Sequence, residues 1–227
     1  SAGGVPIDIA VGNFWKNNPG DEIAVIWNST VSNLYGVSYY SIIIYDCNGV
    51  EIDRCGRSTV RWEAIAAGNF LDDYNYPGNE IAAVHSTAIG GYYPVYVFGR
   101  GRIDPSVTLL TTNTRKIGDL IAGNFNLTGD DCNEIAVIYS GGSETIKFCK
   151  PSNPSWTATT TGAASLTAIA SGNFNSTSSD GDEIAGINAS SSVIYYYIVS
   201  AATHYATAGT SGSAVWTAIA GANFDRG

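Results

Sequence analysis

The chain has 227 residues, of which 44% are hydrophobic and only 14% charged, with 26 glycines, 14 tyrosines, five tryptophans and no methionine. Its formal charge of −9 repels the phosphates of nucleic acids and the headgroups of anionic membranes, so neither is an expected partner. No apolar run reaches the roughly 18 residues needed to span a bilayer as a helix. The residues that remain are those of a many-stranded, turn-rich extracellular protein, and a chain starting at Ser1 reads as a processed form or a fragment.

Taken in order, the chain repeats itself. Ile9-Ala10-Val11-Gly12-Asn13-Phe14 precedes Asp21-Glu22-Ile23-Ala24. Ile65-Ala66-Ala67-Gly68-Asn69-Phe70 precedes Asn79-Glu80-Ile81-Ala82, and a copy one residue shorter, Ile121-Ala122-Gly123-Asn124-Phe125, precedes Asn133-Glu134-Ile135-Ala136. Ile169-Ala170-Ser171-Gly172-Asn173-Phe174 precedes Asp182-Glu183-Ile184-Ala185, and a fifth start runs from Ile219 to Phe224. A period near 50 residues is the mark of a propeller or another repeat array. Within each copy the pattern predicts four short strands. A small-residue strand ends at Gly-Asn-Phe, and the Glu-Ile-Ala strand follows. An aromatic strand comes third (Tyr39–Tyr45, Tyr92–Phe98, Glu144–Phe148, Val193–Val199). A more polar strand closes the unit (Val50–Arg54, Val107–Thr112, Ser155–Thr160, His204–Ala208), with Asn48-Gly49, Gly90-Gly91 and Gly141-Gly142 as turns. Small residues suit an inner strand near a crowded axis. The expected fold is an all-β propeller of four-stranded antiparallel blades in one domain. Its repeats run over about 5–60, 61–115, 116–164 and 165–214, with a partial fifth over 215–227. The fifth start implies closure on the first blade, or completion by a second chain or a homo-oligomer.

Gly-Asn-Phe, a polar loop and then Glu-Ile-Ala together resemble the FG-GAP/VCBS family of propeller repeats across nearly the whole chain. The resemblance implies a propeller fold, and calcium loops of the Asp-x-Asp/Asn-x-Asp-Gly kind in many members. It also implies roles like those of integrin α-heads, propeller lectins, or non-catalytic repeats of secreted enzymes. Here the loops depart from the calcium pattern. The nearest ligands are Asp72 with Asp73 and Asn75, Asp130 with Asp131, and Asp180 with Asp182, against the six to eight oxygens that Ca²⁺ takes. The residues themselves call for no cofactor.

Four cysteines in such a chain suggest disulfides. With a turn at Ser140-Gly141, Cys132 and Cys149 fall opposite each other across a hairpin, leaving Cys47 to pair with Cys55. Asn28, Asn126, Asn175 and Asn188 head glycosylation sequons, which agrees with secretion. Glu22, Glu80, Glu134 and Glu183 recur at one position. A catalytic acid/base pair needs two unlike environments, so four equivalents predict one structural bond made four times, to a neighbouring blade's backbone. His85 and His204 share no partner motif, and no nucleophile elbow, zinc spacing or phosphate loop occurs. Catalysis therefore has no positive support.

Aromatic supply exceeds what a small core needs. Aromatic faces complement sugar C–H faces, and Asn, Asp and backbone amides satisfy hydroxyls. Trp15 in a polar loop, Trp62 and Trp216 before the inner strands, and Tyr39, Tyr92 and Tyr196 in the aromatic strands are the expected ligand contacts. Trp62 and Trp216 also suit packing between blades. The expectation is a carbohydrate- or glycoprotein-binding lectin-like module, with a protein-binding or adhesion propeller, or a fragment of a secreted enzyme, as alternatives.

Overall fold

In the computed structural model the backbone is described over residues 4–14, 20–32, 36, 38–71, 78–99, 105, 107–109, 114–125, 132–140, 145–151, 153–160, 166–174, 181–188, 194–198, 203–207 and 219. Every described element is a β-strand, and every strand pairing is antiparallel. The chain divides into two units, residues 1–116 and 117–227.

In the first unit, one sheet holds β1 (Pro6–Gly12), β2 (Glu22–Trp27), β3 (Val31–Ser32), β4 (Ser38–Tyr45) and β5 (Glu51–Ser58). They lie in the order β1-β2-β4-β3, with β5 also paired to β4. The next sheet runs in simple succession through β6 (Trp62–Gly68), β7 (Glu80–His85), β8 (Val95–Phe98) and β9 (Val107–Leu109). Two of the expected turns are present, and the third, Gly141-Gly142, lies outside the described residues. Gly90 and Gly91, at φ 62° and 87°, form a two-residue loop between Ile89 and Tyr92, the mirror-image turn that matches strand twist. At Asn48-Gly49, Asp46 Oδ1 accepts from Asn48 N–H (2.9 Å) and Val50 N–H (2.8 Å). The Val50 bond is the main cause of the lowered Asp46 pKa.

The second unit repeats this plan. One sheet is β10 (Ile117–Gly123), β11 (Glu134–Tyr139), β12 (Thr145–Lys150) and β13 (Asn153–Thr160). The other is β14 (Ala168–Gly172), β15 (Glu183–Ile187), β16 (Ile194–Ile198) and β17 (Thr203–Thr207).

The core of each unit lies between its two sheets. In the first, Ala10, Phe14, Ala24, Ile26, Ile42 and Ile44 meet Trp62, Ile65, Ile81, Ala83 and Phe98. In the second, Phe125, Ala136, Ile138, Ile146 and Phe148 meet Leu166, Ile169 and Ile184. β7 and β11 are buried at every residue, as strands covered on both faces must be. β2 instead alternates at its start, with Ile23 38% exposed.

The register corrects the third repeat. Asp119 pairs with Ile138 as Asp8 pairs with Ile26, and Gly123 pairs with Glu134 as Gly12 pairs with Glu22. Leu120 therefore stands where Ile9 does, and the copy is full length rather than one residue short.

The disulfides are also corrected, for among the described residues none is formed. Val137 pairs with Lys147 and Ile135 with Cys149, so Cys149 lies three residues out of step with Cys132. Cys47 sits in the Asn48-Gly49 turn, while Cys55 pairs with Ile42, five residues along the chain from Cys47. That is about 16 Å along a strand, beyond the roughly 7 Å that a disulfide tolerates between Cα atoms. Cys47 is exposed, and Cys55, Cys132 and Cys149 are buried. Burial pushes the Cys149 thiol up to about 12, and that of Cys55 higher still.

Candidate functional site

The recurrent glutamates are the first test of any site. Glu22 Oε2 accepts the Phe14 N–H at 2.7 Å, Glu80 that of Phe70 at 2.6 Å, Glu134 that of Phe125 at 2.9 Å and Glu183 that of Phe174 at 2.7 Å. Each carboxylate is at most 4% exposed. The expected bond is thus made four times, with one correction. Its partner is the Gly-Asn-Phe turn of the same sheet, not a neighbour's backbone. The turn leaves a buried N–H facing inward, and a buried amide without an acceptor is costly. A structural cap accounts for the repetition.

The neighbouring sheet is held by other residues. Asp8 Oδ2 accepts the Ile65 N–H at 2.9 Å, and Asp119 Oδ2 accepts that of Ile169 at 2.9 Å. Burial raises the Asp8 pKa, partly offset by the Ile65 and Ile9 bonds. Asn13 N–H donates to Asn79 Oδ1 at 2.9 Å while Asn79 N–H returns to the Asn13 carbonyl. Asn124 N–H donates to Asp182 Oδ2 at 2.8 Å, and Asp182 N–H returns to the Asn124 carbonyl. This explains the motif's glycine. A Cβ at Gly12 would stand 3.0 Å from the Asn79 side chain, and one at Gly123 would stand 2.8 Å from the Phe125 ring and 3.2 Å from Asp182.

Asp182 is thereby accounted for as a junction residue. The other expected metal ligands, Asp72, Asp130 and Asp180, lie outside the described residues. Among those described, no group of three or more His, Cys, Asp or Glu side chains is placed to hold a metal.

The aromatic expectations divide. Trp62 is 2% exposed and donates from Nε1 to the Gly56 carbonyl at 2.7 Å. Its ring packs on His85 at 4.0 Å and edge-on to Tyr96 and Phe98. Closed off by these neighbours, it is core and not a ligand contact. The register gives the reason, because Ile117 occupies the same position in β10 and is also fully buried. Trp15 and Trp216 lie outside the described residues. Tyr196 pairs with Ala185 as Ile44 pairs with Ala24 and Phe148 with Ala136, so it shares a register position with two core residues. Its sheet position is therefore not that of Tyr39.

Tyr39 and Tyr92 do share one position, three residues before Ile42 and Val95, which pair with Ile26 and Val84. Tyr92 is 46% exposed beside Ile89 at 42%. Tyr39 lies in a cleft of about 500 Å³ lined by Ser41, Glu51, Asp53, Arg54 and Arg57. The Arg57 guanidinium sits 4.5 Å from the Tyr39 ring centroid. Arg54 is bonded through Nε and Nη2 to Glu51, and that bond is the main cause of its raised pKa. Ser41 Oγ donates to the Cys55 carbonyl at 2.9 Å. An aromatic ring is thus set among polar and charged side chains of β4 and β5. The arginines were not expected as site residues. Their signal was the charge density of Glu51-Ile52-Asp53-Arg54-Cys55-Gly56-Arg57 in a chain otherwise poor in charge.

No family model matches the chain, and no curated protein matches it. Among solved structures it is similar to a β-propeller chain in the crystal structure of BBS1N in complex with ARL6DN, soaked with lead. Identity is 10% and the TM-score 0.46, over 85% of this chain and 65% of that one. The chain thus spans 65% of the length of that solved chain.

Proposed function

We propose that the chain is an extracellular, non-catalytic propeller of the FG-GAP/VCBS kind that binds carbohydrate, with the Tyr39 cleft as its site. The propeller reading is supported by the repeat and by two junctions built alike, in which each sheet receives the next through its Gly-Asn-Phe turn. The carbohydrate reading is carried by one observation, the Tyr39 ring set among Arg57, Arg54, Glu51 and Ser41 in an open cleft. A sugar ring needs an apolar face flanked by hydroxyl partners of both kinds, and this cleft supplies them. Tyr92, in the same register position one sheet on, offers a second aromatic face, and two weak sites on one chain raise avidity for a branched glycan. Asn28 is exposed, with its carboxamide oxygen taken by Val5 N–H. That bond does not occupy the carboxamide nitrogen, which is compatible with the sequon reading.

A glycan array with the native protein, run with calcium and then with chelator, tests this. Binding to a defined sugar is expected in both arms, and Tyr39→Ala is expected to weaken it about tenfold, some 1.4 kcal/mol. A blank array, or binding indifferent to both Tyr39→Ala and Arg57→Ala, overturns it. Loss with chelator would return calcium to the account. The exposed Ile89–Tyr92 pair favours the second reading, a protein-binding module, since adjacent apolar and aromatic side chains are the usual centre of a protein interface. A pull-down lost on Tyr92→Ala would establish that alternative.

A further inference from the structure

The front face of the first sheet carries the residues of a junction, and they are exposed. Ile9 is 58% exposed, Val11 56% and Ile23 38%. The residues at the position of Ile9 in the other sheets, Ile65, Leu120 and Ile169, are each 3% exposed, and those at the position of Ile23, namely Ile81, Ile135 and Ile184, are 3% or less. Asp21 completes the face. It precedes Glu22 as Asn79 precedes Glu80 and Asp182 precedes Glu183, and each of these glutamates pairs with the glycine of its own turn. Asn79 and Asp182 each clasp the asparagine of the preceding sheet's turn through a side-chain oxygen and a backbone N–H. Asp21 is exposed and makes no hydrogen bond among the described residues.

In the fourth sheet, Asn173 holds the place of Asn13 and Asn124 in its turn. Among the described residues its backbone makes neither of the two bonds those residues make. The adjoining Phe174 is 38% exposed, whereas Phe14, Phe70 and Phe125 are at most 3% exposed. The first sheet therefore presents the clasp and the fourth presents what the clasp holds.

We propose that this face binds a second copy of the chain, head to tail, with Asp21 of one copy clasping the Asn173 backbone of the next over Ile9, Val11 and Ile23. The contact continues an interface the chain already builds twice, so it needs no new chemistry. Ala64 and Ala168 stand at the position of Asp8 and Asp119, so the fourth sheet offers no carboxylate to the Ile9 N–H. That amide is instead satisfied by Asp8 Oδ1 of its own strand at 2.9 Å. The new junction thus has one clasp where the internal ones have two, which suits a reversible association. Such a heterologous contact closes into a ring if its rotation permits and otherwise extends.

The test uses the full chain with Cys47→Ser, which removes the exposed native thiol. Sedimentation velocity over a wide concentration range is expected to show self-association, and Val11→Asp is expected to weaken it about tenfold or more. Circular dichroism should show the fold of that variant intact, since Val11 is already largely in water. Mixing Asp21→Cys and Asn173→Cys variants under mild oxidation is expected to yield a mixed disulfide dimer containing one of each. A monomer at every concentration overturns the proposal, as does association unaffected by Val11→Asp. A double variant that cross-links within a single chain at high dilution overturns it as well.

Discussion

Glu134 is 1% exposed and accepts the Phe125 N–H, so removing its carboxylate strands a buried donor. Glu134→Ala is expected to cost about 2–4 kcal/mol, and Glu134→Gln about half of that because the amide oxygen still accepts. Chemical denaturation of the two variants checks the difference, and equal losses would mean that packing rather than the bond matters. The cysteines give a second test at this scale. Under native conditions only Cys47 is expected to react rapidly with a thiol reagent, because a buried thiol with a raised pKa supplies little thiolate. After unfolding, all four cysteines should titrate without added reductant, and a deficit of two would restore a disulfide. That the glutamates were structural was readable from their repetition. Their partner was not, because the turn amide they cap has no signature of its own in the sequence.

Strands announced themselves through small and β-branched residues bounded by glycine, and observed strands fall within a few residues of those expected. Their register did not. A shift of three residues separates Cys149 from its expected partner, and the turn region that sets the shift is a run of Ser and Gly compatible with several loop lengths. The same blindness made Trp62 look available. Only pairing shows that it sits where Ile117 does. β7 ends at His85, whose ring packs on Trp62 and Tyr96 and whose two nitrogens are buried without a hydrogen-bond partner. Burial lowers its pKa to about 4. The folded value lies below the unfolded 6.5, so the unfolded state binds the extra proton. Stability contributed by neutral His85 is then full above pH 6.5 and is lost as pH falls toward 4, by up to about 3 kcal/mol. Urea melts between pH 7 and 4 should show this slope, and His85→Phe should flatten it. An unchanged slope would assign the acid sensitivity to other groups.

For the molecule as a whole, the repeat was legible because one motif must solve one junction problem each time it arises. Glycine admits the next sheet, the turn amide is capped by glutamate, and the residue before that glutamate clasps its neighbour. The proposed binding cleft was only half legible. Tyr39 stood out as an aromatic, but its arginines lie on the outer strand, where charges also serve to keep an edge from pairing. Composition alone does not separate those roles, whereas placement of Arg57 over the Tyr39 ring does.

The bonds that join neighbouring sheets span only 49 to 66 residues of chain, about one repeat. A polypeptide released from the ribosome can therefore close each junction as soon as the following repeat has emerged, without waiting for its distant end. Synthesis and assembly advance together in steps of one sheet, and a stalled chain exposes only its latest apolar face besides the front face of the first sheet.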